Sequence, residues 1–176
     1  LRYPLGKGRP TPSNLEETRT MSMATTLRSY LDGSSVRYSL VAHPHTGSSM
    51  DTAAVAHVPG DRLAKAVIVK SEDHPLMVVV PSDYHVHMGL LHRHLGGAVG
   101  LVTEAELADL FPDCEPGAVP AVGQAYGLRT LLDSNLLDQP EVYLEAGDHE
   151  TLVRLGGEDF RALMQDAEQV DVGQHI

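Results

Sequence analysis

Leu63-Ala64-Lys65-Ala66-Val67-Ile68-Val69-Lys70 and Leu76-Met77-Val78-Val79-Val80-Pro81 read as two apolar, β-branched strands. The polar turn Ser71-Glu72-Asp73-His74-Pro75 joins them as a hairpin. Outward from it, extended and helical patterns alternate irregularly. Strands are expected at Val36–Ala42, Val99–Val102, Leu128–Leu132, Glu141–Glu145 and Glu150–Leu155. Helices are expected at Thr25–Leu31, at Met50–Val58 after the cap Ser48-Ser49, and at Met88–Leu95 before Gly96-Gly97. Two more are expected, from the capping box Thr103-Glu104-Ala105-Glu106 to Leu110, and over Glu158–Ala167. One hairpin within an uneven alternation predicts a mixed-sheet α/β domain of the α+β type, not a regular doubly wound sheet.

The chain has 176 residues, enough for one domain with a sizeable core. Trp is absent and aromatics are few, so that core must be aliphatic. Residues 1–20 are rich in Pro, Gly and basic side chains without a hydrophobic period. They read as a tail, linker or added segment, with the domain expected over 21–176. The net charge of −11 argues against broad, charge-driven binding to DNA or another nucleic-acid backbone, though not against a local grip on one phosphate. No apolar run reaches the roughly 20 residues of a membrane helix. No signal peptide is legible, and the single cysteine, Cys114, fits a reducing compartment, so a cytoplasmic location is expected.

Lys65 is one of three lysines, and it opens a strand that reads as buried. A buried ammonium is costly unless it meets an anion, the plainer reading being a lysine that caps the strand edge and snorkels to water. Strand parity sends Lys65 and Lys70, five residues apart, to opposite faces, with Lys70 expected in solvent. The stiff loop Gly117-Ala118-Val119-Pro120-Ala121-Val122-Gly123 lies in a long irregular stretch and can aim N–H groups at an anion or a carbonyl oxygen. Gly147-Asp148-His149-Glu150-Thr151 reads as a turn that could also line a pocket.

Ten histidines raise the question of a metal, and His43/His45, His85/His87 and His92/His94 each have i, i+2 spacing. That spacing shares a face only on a strand, and His-Glu-x-x-His and Cys-x-x-Cys are both absent, so no metal site is expected. Gly-x-Ser-x-Gly and phosphate-loop motifs are absent as well, and Cys114, between Asp113 and Glu115, sits where a thiolate is disfavoured.

Taken in order, these pieces resemble the YbaK/ProX family, the prolyl-tRNA-synthetase-associated editing domain, from about residue 36 to 165. Val58 to Val69 resembles the segment carrying that family's lysine, and Met77 to Asp83 its second strand. Gly117-Ala118-Val119-Pro120 is similar to the Gly-x-x-x-Pro loop, Thr130-Leu131-Leu132-Asp133 to the strand ending in aspartate, and Glu145 to His149 to the late turn at the pocket. His87 stands where an aspartate often opens the helix. The resemblance implies a partly barrel-like sheet surrounded by helices and cofactor-free hydrolysis of the ester of mischarged aminoacyl-tRNA. Lys65, Gly117 and Pro120 would be the catalytic residues, and Ala118, Val119, Asp133, Gly147, His149 and His45 would bind substrate. The partner would be the aminoacyl-tRNA 3′ end, with an aminoacyl-tRNA synthetase as a further partner the resemblance allows. A non-catalytic binding module and a metal-dependent hydrolase stay open as alternatives.

Overall fold

The computed structural model describes residues 23–176; the expected tail 1–20 and the start of the domain at 21 lie outside the described residues. In chain order come α1 (Thr25–Gly33), β1 (Tyr38–Ala42), α2 (Ser49–Val55), β2 (Leu63–Ser71), β3 (His74–Pro81), β4 (Tyr84–Val86) and α3 (Met88–Leu95). They are followed by β5 (Val99–Leu101), α4 (Glu104–Leu110), β6 (Arg129–Asp133), β7 (Glu141–Glu145), β8 (Thr151–Gly156), α5 (Gly157–Leu163), β9 (Glu168–Val170) and β10 (Gly173–His175). Eight strands form one mixed sheet in the order β1-β8-β7-β2-β3-β6-β9, with β5 added to β2, and β10 pairs with β4 separately. This is the expected mixed α/β class.

The hairpin is the centre of that sheet. β2 and β3 pair antiparallel from Ala64↔Pro81 to Ser71↔His74. The connecting loop is only Glu72-Asp73, both at positive φ (51° and 64°), so the strands run further into the polar turn than the sequence suggests. β3 is buried on both faces, which accounts for its unbroken apolar run. Met77 and Val79 join a core with Leu132, Leu144, Val153 and Leu155, closed by Leu27 and Leu31 of α1 and Phe160 of α5. Leu76, Val78 and Val80 join a second core with Val69, Leu131 and Leu91 of α3.

The helix starts follow their caps. Asp51 N–H donates to Ser48 Oγ at α2, and Glu106 N–H to Thr103 Oγ1 at α4. Leu90 N–H donates to His87 Nδ1, so His87 acts as the N-cap of α3. Lys70 is not left to solvent: its ammonium pairs with Glu106 at 2.9 Å, an acid placed within reach by the same capping box. α5 stops at Leu163, short of the expected Ala167, because the chain turns back to lay β9 along β6.

The second edge of β2 is split between two partners. Leu63 and Ala64 pair with Tyr143 and Leu144 of β7, while Val69 to Ser71 pair with Leu101 to Val99 of β5. Among the described residues no strand pairs with Lys65–Ile68 on that edge, and the gap opens a cleft.

Candidate active site

The cleft has a volume of about 130 Å³. Its walls include Lys65, Ala66 and Ile68 of β2, Gly117 and Val119 of the long loop, and Glu145 at the end of β7. Ser49 and Leu107 complete it, and a larger, mainly apolar cavity of about 410 Å³ adjoins it, sharing Leu107, Gly117 and Val119. β2 therefore delivers Lys65 to the same small space as the Gly117 loop.

Lys65 is half-buried, and its ammonium is held from behind. It donates to the main-chain carbonyl of Tyr84 and to that of Ser82 at 3.4 Å. Burial lowers the Lys65 pKa from its ordinary value, and the nearby Asp83 carboxylate opposes the shift. An ammonium has three N–H donors, so two carbonyls leave one for a ligand.

The loop is clipped to the β7–β8 turn. Glu115 N–H donates to the Gly147 carbonyl (2.8 Å), and His149 Nε2 lies 2.5 Å from the Pro116 carbonyl. A carbonyl only accepts, so Nε2 carries the hydrogen. His149 is buried at φ +61°, and its ring fixes the space above Gly117: a Cβ there would stand 3.3 Å from His149 Cε1. Gly117 itself has φ +82°, a conformation that favours glycine. Ala118 N–H is spent on the Glu115 carbonyl at 3.1 Å. Among the described residues, Gly117 N–H and Val119 N–H have no such acceptor, and both residues line the cleft.

Glu145 was not singled out from the sequence. It is 3 % exposed, it lines the cleft, and its Oε2 has no hydrogen-bond partner among the described residues. Burial raises its pKa, while the nearby Thr52 hydroxyl and the imidazoles of His43 and His149 oppose the shift.

Residues 43–163 match the family model described as aminoacyl-tRNA editing domain. The chain belongs to that family. Among solved structures, "Crystal structure of a putative trans-editing enzyme for prolyl tRNA synthetase" aligns with TM-score 0.75 and 23% identity, over 94% of this chain and 99% of that one. A structure from work on epitope backbone grafting by computational design aligns with TM-score 0.75 and 23% identity, over 86% and 97%. A hypothetical protein aligns with TM-score 0.74 and 20% identity, over 85% and 99%. Likeness at this identity speaks for the fold. No curated protein matches the chain.

Within this editing domain the other expected site residues divide by position. His45 reaches the clip, its ring centroid 5.2 Å from that of His149 and its Nε2 3.7 Å from Glu115 Oε2. Gly147, at φ +112°, lies against Ala24 and supplies the carbonyl that holds Glu115. Ala118 and Pro120 are buried beneath the loop and are not on the cleft wall. Asp133 is fully buried at the end of β6, two strands from β2 and so about 10 Å from Lys65. It accepts from Asn135 N–H, Asn135 Nδ2–H and Gly173 N–H at 3.0, 2.6 and 2.8 Å.

Among the described residues no group of three or more His, Cys, Asp or Glu side chains is placed to hold a metal, and no helix is long and apolar enough to cross a membrane. His94 pairs with Glu168 at 2.8 Å. The Cys114 thiol is pushed up to about 11, chiefly by burial, with Asp113 adding to the shift, so it is a poor nucleophile.

Proposed function

We propose that this editing domain hydrolyses the ester bond of mischarged aminoacyl-tRNA in trans. The observation that supports the reading is that Lys65 shares one small cleft with Gly117 and Val119, whose N–H groups have no acceptor among the described residues. An aminoacyl ester is already reactive, so a site that positions it and polarises its carbonyl needs no strong nucleophile. The ester carbonyl oxygen lies against the Gly117 and Val119 N–H groups, which strengthen their hydrogen bonds as that oxygen gains charge. The remaining N–H of Lys65 holds a phosphate or sugar oxygen of the terminal adenosine. Water adds to the carbonyl carbon, the bond to the ribose oxygen breaks, and that oxygen leaves with a proton. The family resemblance implies that the vicinal ribose hydroxyl helps activate the water. His149 and Gly147 hold the loop in register, and Asp133 acts on the site only through the fold.

A cleft of this size suits a small aminoacyl group, with selectivity by fit on the order of 1–3 kcal/mol per methylene. The acidic chain offers little charge to the rest of a tRNA, which fits a grip confined to the 3′ end and presentation by a basic partner such as a synthetase. The test is a panel of tRNAs mischarged with alanine, serine, cysteine and threonine. Release of amino acid from at least one, well above the spontaneous rate, supports the reading; release from none removes it.

A further inference from the structure

Glu145 raises a question that ester hydrolysis leaves open. A carboxylate that is 97% buried is rare unless paired, yet Glu145 Oε2 has no partner among the described residues. It lines the same cleft as Lys65, but the two charges form no ion pair with each other among the described residues. Lys65 is turned to the Ser82 and Tyr84 carbonyls. The groups that act on Glu145 are Thr52, His43, His149 and Asp148. His43 donates Nδ1–H to the Pro44 carbonyl at 2.8 Å, and its buried Nε2 has no partner among the described residues, so His43 makes no hydrogen bond to Glu145. The cleft thus carries an ammonium on β2 and a buried carboxyl group on the neighbouring β7, and Gly117 and Val119, whose N–H groups have no acceptor among the described residues, line the same space.

An aminoacyl nucleotide has the complementary polarity: an anionic phosphate on the nucleoside side, an ester carbonyl in the middle, and an α-ammonium beyond it. We propose that Glu145 is the specificity residue that receives the α-ammonium of the aminoacyl group, so that the site selects free aminoacyl esters over acyl groups lacking that charge. This rests on the reading of the cleft as an aminoacyl-ester site. A buried acid is satisfied by a donor, and a charged donor does so most strongly. An N-acylated or deaminated acyl group leaves the carboxylate desolvated and alone, which is the situation that gives large discrimination.

The experiment measures binding, not turnover. Calorimetry at pH 7 compares 3′-deoxy-3′-(alanylamino)adenosine with its propanoylamino counterpart, which lacks only the amine. The expected result is about tenfold or more tighter binding of the amine by the wild type. That preference should be lost in Glu145→Gln, which keeps the shape, and in Glu145→Ser, which removes the acid altogether. Equal affinity in the wild type overturns the assignment, as does a preference that survives both substitutions or failure of both analogues to bind. Amine-selective binding together with no turnover of any mischarged tRNA upholds the inference and removes the deacylase reading instead.

Discussion

Asp133 Oδ2 accepts a 2.8 Å hydrogen bond from Gly173 N–H, and this bond ties the end of β6 to the β10–β4 ribbon. The same ribbon carries Tyr84, whose carbonyl receives the Lys65 ammonium. Asp133 therefore supports Lys65 through the backbone, without reaching the cleft. Asp133→Ala leaves Gly173 N–H and Asn135 without their acceptor. It should cost about 2–4 kcal/mol in urea unfolding, from more than one buried donor at about 1–3 kcal/mol each. Deacylation by the folded fraction should fall chiefly in kcat. Full activity per folded molecule would cut the proposed link to Lys65.

The clip between loop and turn gives a second expectation. His149→Ala removes the hydrogen bond to the Pro116 carbonyl and the ring above Gly117. The loss should be about 1–2 kcal/mol of stability and a larger proportional loss of deacylation, because the free N–H groups of Gly117 and Val119 lose their register. Thermal melts and single-turnover hydrolysis on the same preparation separate the two effects.

Gly117→Ala probes the loop from the other side. At φ +82° an L-residue costs about 1–2 kcal/mol, and the new methyl would press on His149 at 3.3 Å. The variant should fold, with a modest fall in Tm, and lose most of its deacylase activity. Wild-type turnover would show that the loop does not hold the ester.

Glu145 makes a prediction about pH. Its folded pKa is raised, so between the unfolded value and the folded value the native state binds more protons than the unfolded state. Its favourable contribution is complete below the unfolded pKa and is lost as pH rises through the folded pKa. Glu145→Gln cannot titrate. Its stability relative to the wild type should rise from acid toward neutral pH, measured by denaturant unfolding across that range. A difference that is flat with pH would mean the carboxyl is not perturbed.

How much of this was legible in the sequence depended on whether the signal was local. The β2–β3 pair announces itself through an apolar run long enough for two buried faces, and Ser48, Thr103 and Gly96 mark helix ends that recur in the structure. Lys65 and Gly117 stand out because a lone cation in an apolar strand and a Gly/Pro loop are both unusual. β4, β9 and β10 were not legible: each has three residues, and each is extended only because a partner strand lies beside it. Lys70 looked solvated because Glu106, its partner, is 36 residues away. Glu145 was hidden for a related reason. The resemblance puts the whole segment Glu145 to His149 at the pocket, but nothing local sets Glu145 apart within it; its burial and its place on the cleft wall come from the tertiary fold.

The central claim is that Lys65 and the Gly117 loop act on one aminoacyl ester. Its most direct test is single-turnover hydrolysis of whichever mischarged tRNA the wild type cleaves, compared with Lys65→Ala in the same assay. A fall of about 100-fold or more with the fold intact is predicted, from loss of a charge-assisted grip on the 3′ end. Hydrolysis by Lys65→Ala at the wild-type rate on every cleaved substrate would contradict the account.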